Sequence, residues 1–188
     1  MSLSVIDSKC VERLDLVMGQ IGATSGDLER LLDNPRLVAR ILGVDPFLSN
    51  PMTLMVDYCL RISSMINAQN YGRVDSRKFG RWGFSLSSLS GLQRFSTKFF
   101  SWEEQISSDR ARSLIEADGW TAAGVEHLIV LSREKLWSER SVVALGQAGK
   151  KQLASLTYPE QGLPNLVAES NLAVYGGKDL FLAVKLAE

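Results

Sequence analysis

A single histidine, His127, sets the ceiling on the acid–base chemistry open to this chain. Mechanisms that need two histidines, most zinc hydrolases among them, are excluded by that count. A lone histidine acting as a general base needs a carboxylate to orient it and a nucleophile within hydrogen-bond reach. Glu126 is adjacent, but neighbours in sequence do not face each other on a helix or a strand, so it is not expected to serve. His127 borders the apolar run 128–131, and the plainer expectation is a partly buried ring with its nitrogens satisfied. Lys135 is the other candidate. It closes Ser132-Arg-Glu-Lys135, a Ser-x-x-Lys match whose companion motifs are missing.

Other motifs fail on context. Gly22-Ala-Thr24-Ser-Gly26 has the spacing of a nucleophile elbow, but a predicted helix precedes it where a strand is required. Gly146-Gln-Ala-Gly149-Lys150 and Gly176-Gly177-Lys178 imitate phosphate loops without the full spacing or a following helix, and read better as hairpin turns. Asp7, Asp15, Asp27, Asp33, Glu103, Glu104 and Glu116 are too scattered to pair, and read as solvated helix faces and first-turn dipole partners. No cofactor fingerprint or metal-ligand spacing occurs, so neither a cofactor nor a metal is expected.

The most informative stretch is 71–100. Arg73, Arg77, Lys78, Arg81, Arg94 and Lys98 stand there against one acid, Asp75, interleaved with Tyr71, Phe79, Trp82, Phe84, Phe95, Phe99 and Phe100. Cations mixed with rings on a glycine- and serine-rich segment suit an anionic partner: an acidic protein, a small anion, or single-stranded nucleic acid whose bases stack on the rings. Nucleic acid is the less favoured, because the whole chain carries as many acids as bases and has no global positive field. The plainer alternative puts the rings in the core and the cations in water or on the chain's own acids. A helix-turn-helix over 108–131 is rejected, since Thr121, Ala122, Ala123 and Gly124 offer a DNA groove almost no basic or amide groups.

These residues must be held by a fold, and the composition allows one. The chain has 188 residues, 45% of them hydrophobic and 22% charged, enough for one domain with its own core. Cys10 and Cys59 lie on predicted apolar stripes, and are expected as free, buried thiols. No run approaches a membrane span, and the opening Met-Ser-Leu-Ser lacks a signal-peptide pattern, so a cytoplasmic protein without membrane contact is expected.

Periodicity predicts helices first. Ile6, Cys10, Leu14, Val17 and Ile21 form one stripe, stopped by Gly22. Asn34-Pro35, Asp45-Pro46 and Asn50-Pro51 each pair an N-cap residue with a proline suited to a first turn. The third opens the most apolar predicted helix, through Met52, Met55, Val56, Cys59, Ile62 and Ile66. A long irregular segment follows, then a helix through Leu89, Leu92, Phe95 and Phe99. Ser101 and Glu104 make a capping box for the next, closed by Asp118-Gly119. Residues 125–132 fit a helix or a buried strand equally. The runs 141–147 with 152–158, and 171–175 with 180–186, read as two hairpins. The near-continuous apolar run 180–184 implies cover on both faces.

The sequence therefore predicts one α+β domain over 1–188, helical over about 5–137 and β-rich over about 141–187, its helices packed on a small antiparallel sheet of two C-terminal hairpins. The function expected is a non-enzymatic binding or assembly protein that contacts an anionic partner through 71–100, with Arg73, Arg77, Lys78, Arg81, Trp82, Arg94 and Lys98 as its contacts. The alternative is a small cofactor-free enzyme using a carboxylate with His127 or Lys135 in a cleft between helices and sheet. A homodimer through 180–186, taken as a sheet edge, is a further expectation.

Overall fold

The computed structural model describes residues 52–75, 79, 85–86, 88–134, 140–149, 152–159, 163–170 and 173–187, all within the unit Asn50–Glu188. There the expected fold is overturned. The described residues are mostly β, and their strands build one large mixed sheet of eight, not a small sheet beneath a helical body. The helices expected before residue 50, and that part of the single-domain reading, lie outside the described residues.

Two predicted helices are strands. β1 (Thr53–Asp57) buries Leu54 and Val56 and exposes Thr53 and Met55, the two-residue alternation of a strand covered on one face. Asp57 ends it, its Oδ1 accepting from the Cys59 N–H at 2.9 Å. That turn leaves Cys59 free but exposed, not buried as expected. The helical remainder is α1 (Ile62–Asn67), which buries Ile62, Met65 and Ile66. After the two-residue β2 (Arg73–Val74) comes β3 (Leu92–Phe100), where Phe95, Thr97 and Phe99 point inward and Arg94 and Lys98 outward. Thr and Phe favour a pleated, half-buried surface, and β3 is paired on both sides, so tertiary pairing overrides the chance helical spacing of its aromatics.

The capping box expected at Ser101 opens no helix. The chain first pairs β4 (Ile106–Ser107) with β9 (Val174–Tyr175), and α2 (Ser108–Ala117) then starts from Ser107, whose Oγ accepts from the Arg110 N–H. It ends at Asp118, followed by Gly119 with φ +77°, a left-handed turn that favours glycine. β5 (Thr121–Ala122) leads into α3 (Val125–Leu131), so the ambiguous run is helical, with a short 3-10 segment (Ser132–Glu134) after it. β6 (Ser141–Gly149) and β7 (Gln152–Thr157) pair antiparallel, and β7 pairs in turn with β8 (Asn165–Ser170).

The second expected hairpin does not form. β9 belongs with β4, and β10 (Asp179–Leu186) lies inside the large sheet, whose order is β1-β3-β10-β6-β7-β8-β2. One side of β10 pairs with β3; the other pairs first with β6, in parallel, and then with β5. Leu180, Phe181, Leu182, Ala183 and Val184 are all fully buried. The edge of 180–184 is thus taken by this chain's own strands, so the open edge expected along 180–186 is not found there.

Side-chain alternation divides the core in two. On one face Val143, Leu145, Phe181 and Ala183 pack with Ala111 and Ile115 of α2. On the other lies α3, all seven of whose residues are buried, next to Phe95 and the strands β1, β6 and β7. α2 does not cover its whole face: near β1 the outward side chains of β3 are bare.

Candidate functional site

The described part of 71–100 does not present rings and cations together. Phe79, Phe95 and Phe99 are buried. The Tyr71 hydroxyl lies 3.0 Å from Ser132 Oγ, and burial pushes its pKa up to about 12. Phe100 stacks on Trp102 with ring centroids 6.0 Å apart. Each of these rings is spent on the chain's own packing. Arg77, Lys78, Arg81 and Trp82 lie outside the described residues, as does Lys135.

The remaining cations separate. Arg73 is exposed on β2, at one end of the strand order, while Arg94 and Lys98 are on β3, next to the other end. Lys98 reaches Asp118 at the end of α2, 2.5 Å away, and lies 4.7 Å above the Phe100 ring. It fastens α2 to β3. Arg94 has no ion-pair partner among the described residues. Register sets Met55 opposite Arg94, and Ser96 opposite Lys185 of β10, all on the outward face. Leu92 lies two residues before Arg94, hence on that face too. Arg94 and Lys185 are exposed, as are Met55 (44%) and Leu92 (61%). Asp57, opposite Leu92 on this face, accepts from the Cys59 N–H and makes no ion pair with either cation. Strand geometry thus collects two cations and two large apolar side chains on bare sheet. Lys185 was missed from sequence, though the alternation Leu182, Val184 inward and Lys185 outward is its signal.

A different cluster forms within the core. Gly124 is the N-cap of α3 and has no side chain to cap with. His127, three residues on, closes the turn instead: its Nδ1 accepts from the Gly124 N–H at 3.1 Å, and its backbone N–H donates to the Gly124 carbonyl at 3.2 Å. This is the return half of a capping box, made by an imidazole. With Nδ1 an acceptor, the ring proton sits on Nε2, which is buried without a hydrogen-bond partner among the described residues. Phe95 meets the ring edge-on at 4.7 Å. Burial drives the His127 pKa down to about 3, so the ring is neutral.

Glu126 does come close to His127, contrary to expectation, its Oε1 lying 3.6 Å from Nδ1. Both side chains curl back over the bare glycine instead of following the helix faces. The Ser85 backbone N–H and hydroxyl donate to Glu126 Oε1. Burial raises the Glu126 pKa, and the hydrogen bonds from Ser85 oppose the rise. A Cβ on Gly124 would lie 2.2 Å from Ser85 Oγ. The candidate base His127 is therefore a helix cap, and its neighbouring carboxyl anchors the segment carrying Ser85. Neither Ser85 nor Gly124 carried a sequence signal. Among the described residues no three His, Cys, Asp or Glu side chains are grouped to hold a metal ion, and no helix is long and apolar enough to cross a membrane.

No family model matches the chain, and no curated protein or solved structure matches it.

Proposed function

We propose that the chain is a non-enzymatic, cytoplasmic binding protein that captures an acidic protein partner on the bare outer face of β1 and β3. The observation that carries this is the pair Arg94 and Lys185, exposed, without an acid partner among the described residues, and flanked by exposed Met55 and Leu92. Arg94 supplies a planar fork for carboxylates, and the aliphatic side chains supply area that loses water on contact. The remainder of 71–100 adds Arg77, Lys78 and Arg81 to the same cationic segment. Protein is favoured over nucleic acid because no described ring of the segment is exposed for a base to stack on. A binding role is favoured over catalysis because the one histidine is enclosed and already caps a helix. The cytoplasmic assignment is supported by the free, exposed Cys59, which suits a reducing compartment.

The test uses a fluorescent peptide of alternating glutamate and leucine, with its glutamine counterpart and a single-stranded oligonucleotide as controls. Anisotropy should show saturable binding of the glutamate peptide that weakens as salt rises. Equal binding of the glutamine peptide, or preference for the oligonucleotide, overturns the assignment.

A further inference from the structure

Away from the outer face, β6 departs from its partner. Its pairing with β7 shifts between Ala144 and Gly149, and Gly146 turns to β5 instead, donating to the Ala123 carbonyl at 2.7 Å. A Cβ on Gly146 would sit 2.8 Å from that oxygen, so the approach requires glycine. The Leu145 carbonyl accepts from Arg112 of α2, from Nε at 3.1 Å and from Nη2 at 2.5 Å. One carbonyl thus takes one edge of the guanidinium and fixes its plane. Three of its five N–H donors remain. The carboxylate beside them, Asp109, is 92% exposed and 3.8 Å from Nη1, beyond hydrogen-bond reach.

A cavity of about 250 Å³ opens here, bordered by Arg112, Glu116, Thr121, Ser85 and Gly146. It is smaller than the roughly 300–1,000 Å³ of sites for drug-sized ligands, so its occupant is small. Arg112 and Glu116 are four residues apart on one helix face, a spacing at which such residues commonly pair. Here the guanidinium is held on Leu145, so a positive and a negative group border the same space. A simple anion drawn to Arg112 meets the repulsion of Glu116; a molecule carrying both charges satisfies each. Ser85, at the cavity wall, is fixed from behind by Glu126.

We propose that this cavity is a second binding site, specific for a small zwitterionic amino acid, with the carboxylate on Arg112 and the ammonium directed to Glu116. Thr121, also at its border, carries a hydroxyl. The site is independent of the outer face.

Isothermal titration of the full chain with glycine, L-alanine and L-serine, and with acetate and ethylamine as single-charge controls, tests the proposal. At least one of the three amino acids should bind saturably, and acetate and ethylamine at least tenfold more weakly. Glu116→Gln, an exposed change, should weaken that binding at least tenfold while the melting temperature stays unchanged; Arg112→Gln should abolish it. No saturable binding by any of the three, acetate binding as tightly, or Glu116→Gln retaining the affinity overturns the site.

Discussion

The first turn of α3 and the outer face of β3 use ionisable side chains in opposite ways. In the turn, Glu126 and His127 are fully enclosed, and what they touch is the chain itself: Ser85 for one, the Gly124 amide for the other. On the outer face Arg94 and Lys185 touch no acid among the described residues and stand in water beside exposed Met55 and Leu92. Glu126 Oε1 and His127 Nδ1 are satisfied by groups of the chain itself, so the enclosed pair is committed to holding the fold. The exposed pair carries no such obligation. Changes in the turn should therefore move stability, and changes on the face should move recognition with the fold left alone.

The largest loss should follow Gly124→Ala. The new methyl meets Ser85 Oγ at 2.2 Å and Ser85 Cβ at 2.4 Å, so either the segment or the helix start must shift. Overpacking of this kind costs about 3 kcal/mol, measurable by urea unfolding. A variant as stable as the parent would mean that the turn is not the tight element described.

Acid should produce the next effect. The His127 pKa is lowered by burial, so the unfolded chain takes the proton first, and stability falls as pH drops below about 6.5 toward about 3. Glu126 acts in the opposite sense. Its raised pKa gives stability that is fully present below the unfolded value and is lost as pH rises through the folded one. His127→Gln keeps a group able to reach the N-cap amide but does not titrate. Relative to the parent, it should gain about 2 kcal/mol between pH 7 and pH 5. Parallel stability curves for the two proteins would refute the enclosed, neutral imidazole.

Lys98→Ala marks the boundary between the two regions. It breaks the contact with Asp118 and the approach to Phe100, both partly exposed, and should cost less than about 1 kcal/mol. A loss above about 2 kcal/mol in thermal melts would place Lys98 with the interior.

The two regions also differed in how far they could be read from sequence. Residues 180–184 carry enough apolar side chains to imply cover on both faces, and β10 is an interior strand. Arg94 and Lys98 share one face whether 92–100 is helix or strand, because a spacing of four suits both periods. Their element type was misread because Leu92, Phe95 and Phe99 match helical spacing while Phe95, Thr97 and Phe99 match a strand, and only pairing with β1 and β10 decides between them. α3 buries all seven residues and so shows no period at all. The contact of Ser85 with Glu126 joins residues 41 apart, and the need for glycine at 124 and 146 comes from neighbours brought in by the fold. Local pattern contains none of this.

The separation of the two roles is tested most directly by Arg94→Glu combined with Lys185→Glu, with peptide affinity and unfolding free energy measured on the same preparation. The glutamate–leucine peptide should bind at least tenfold more weakly, while stability stays within about 0.5 kcal/mol of the parent, as for surface changes clear of any buried partner. Undiminished peptide binding, or binding lost only together with the fold, would contradict a recognition surface on the outer face of β1 and β3.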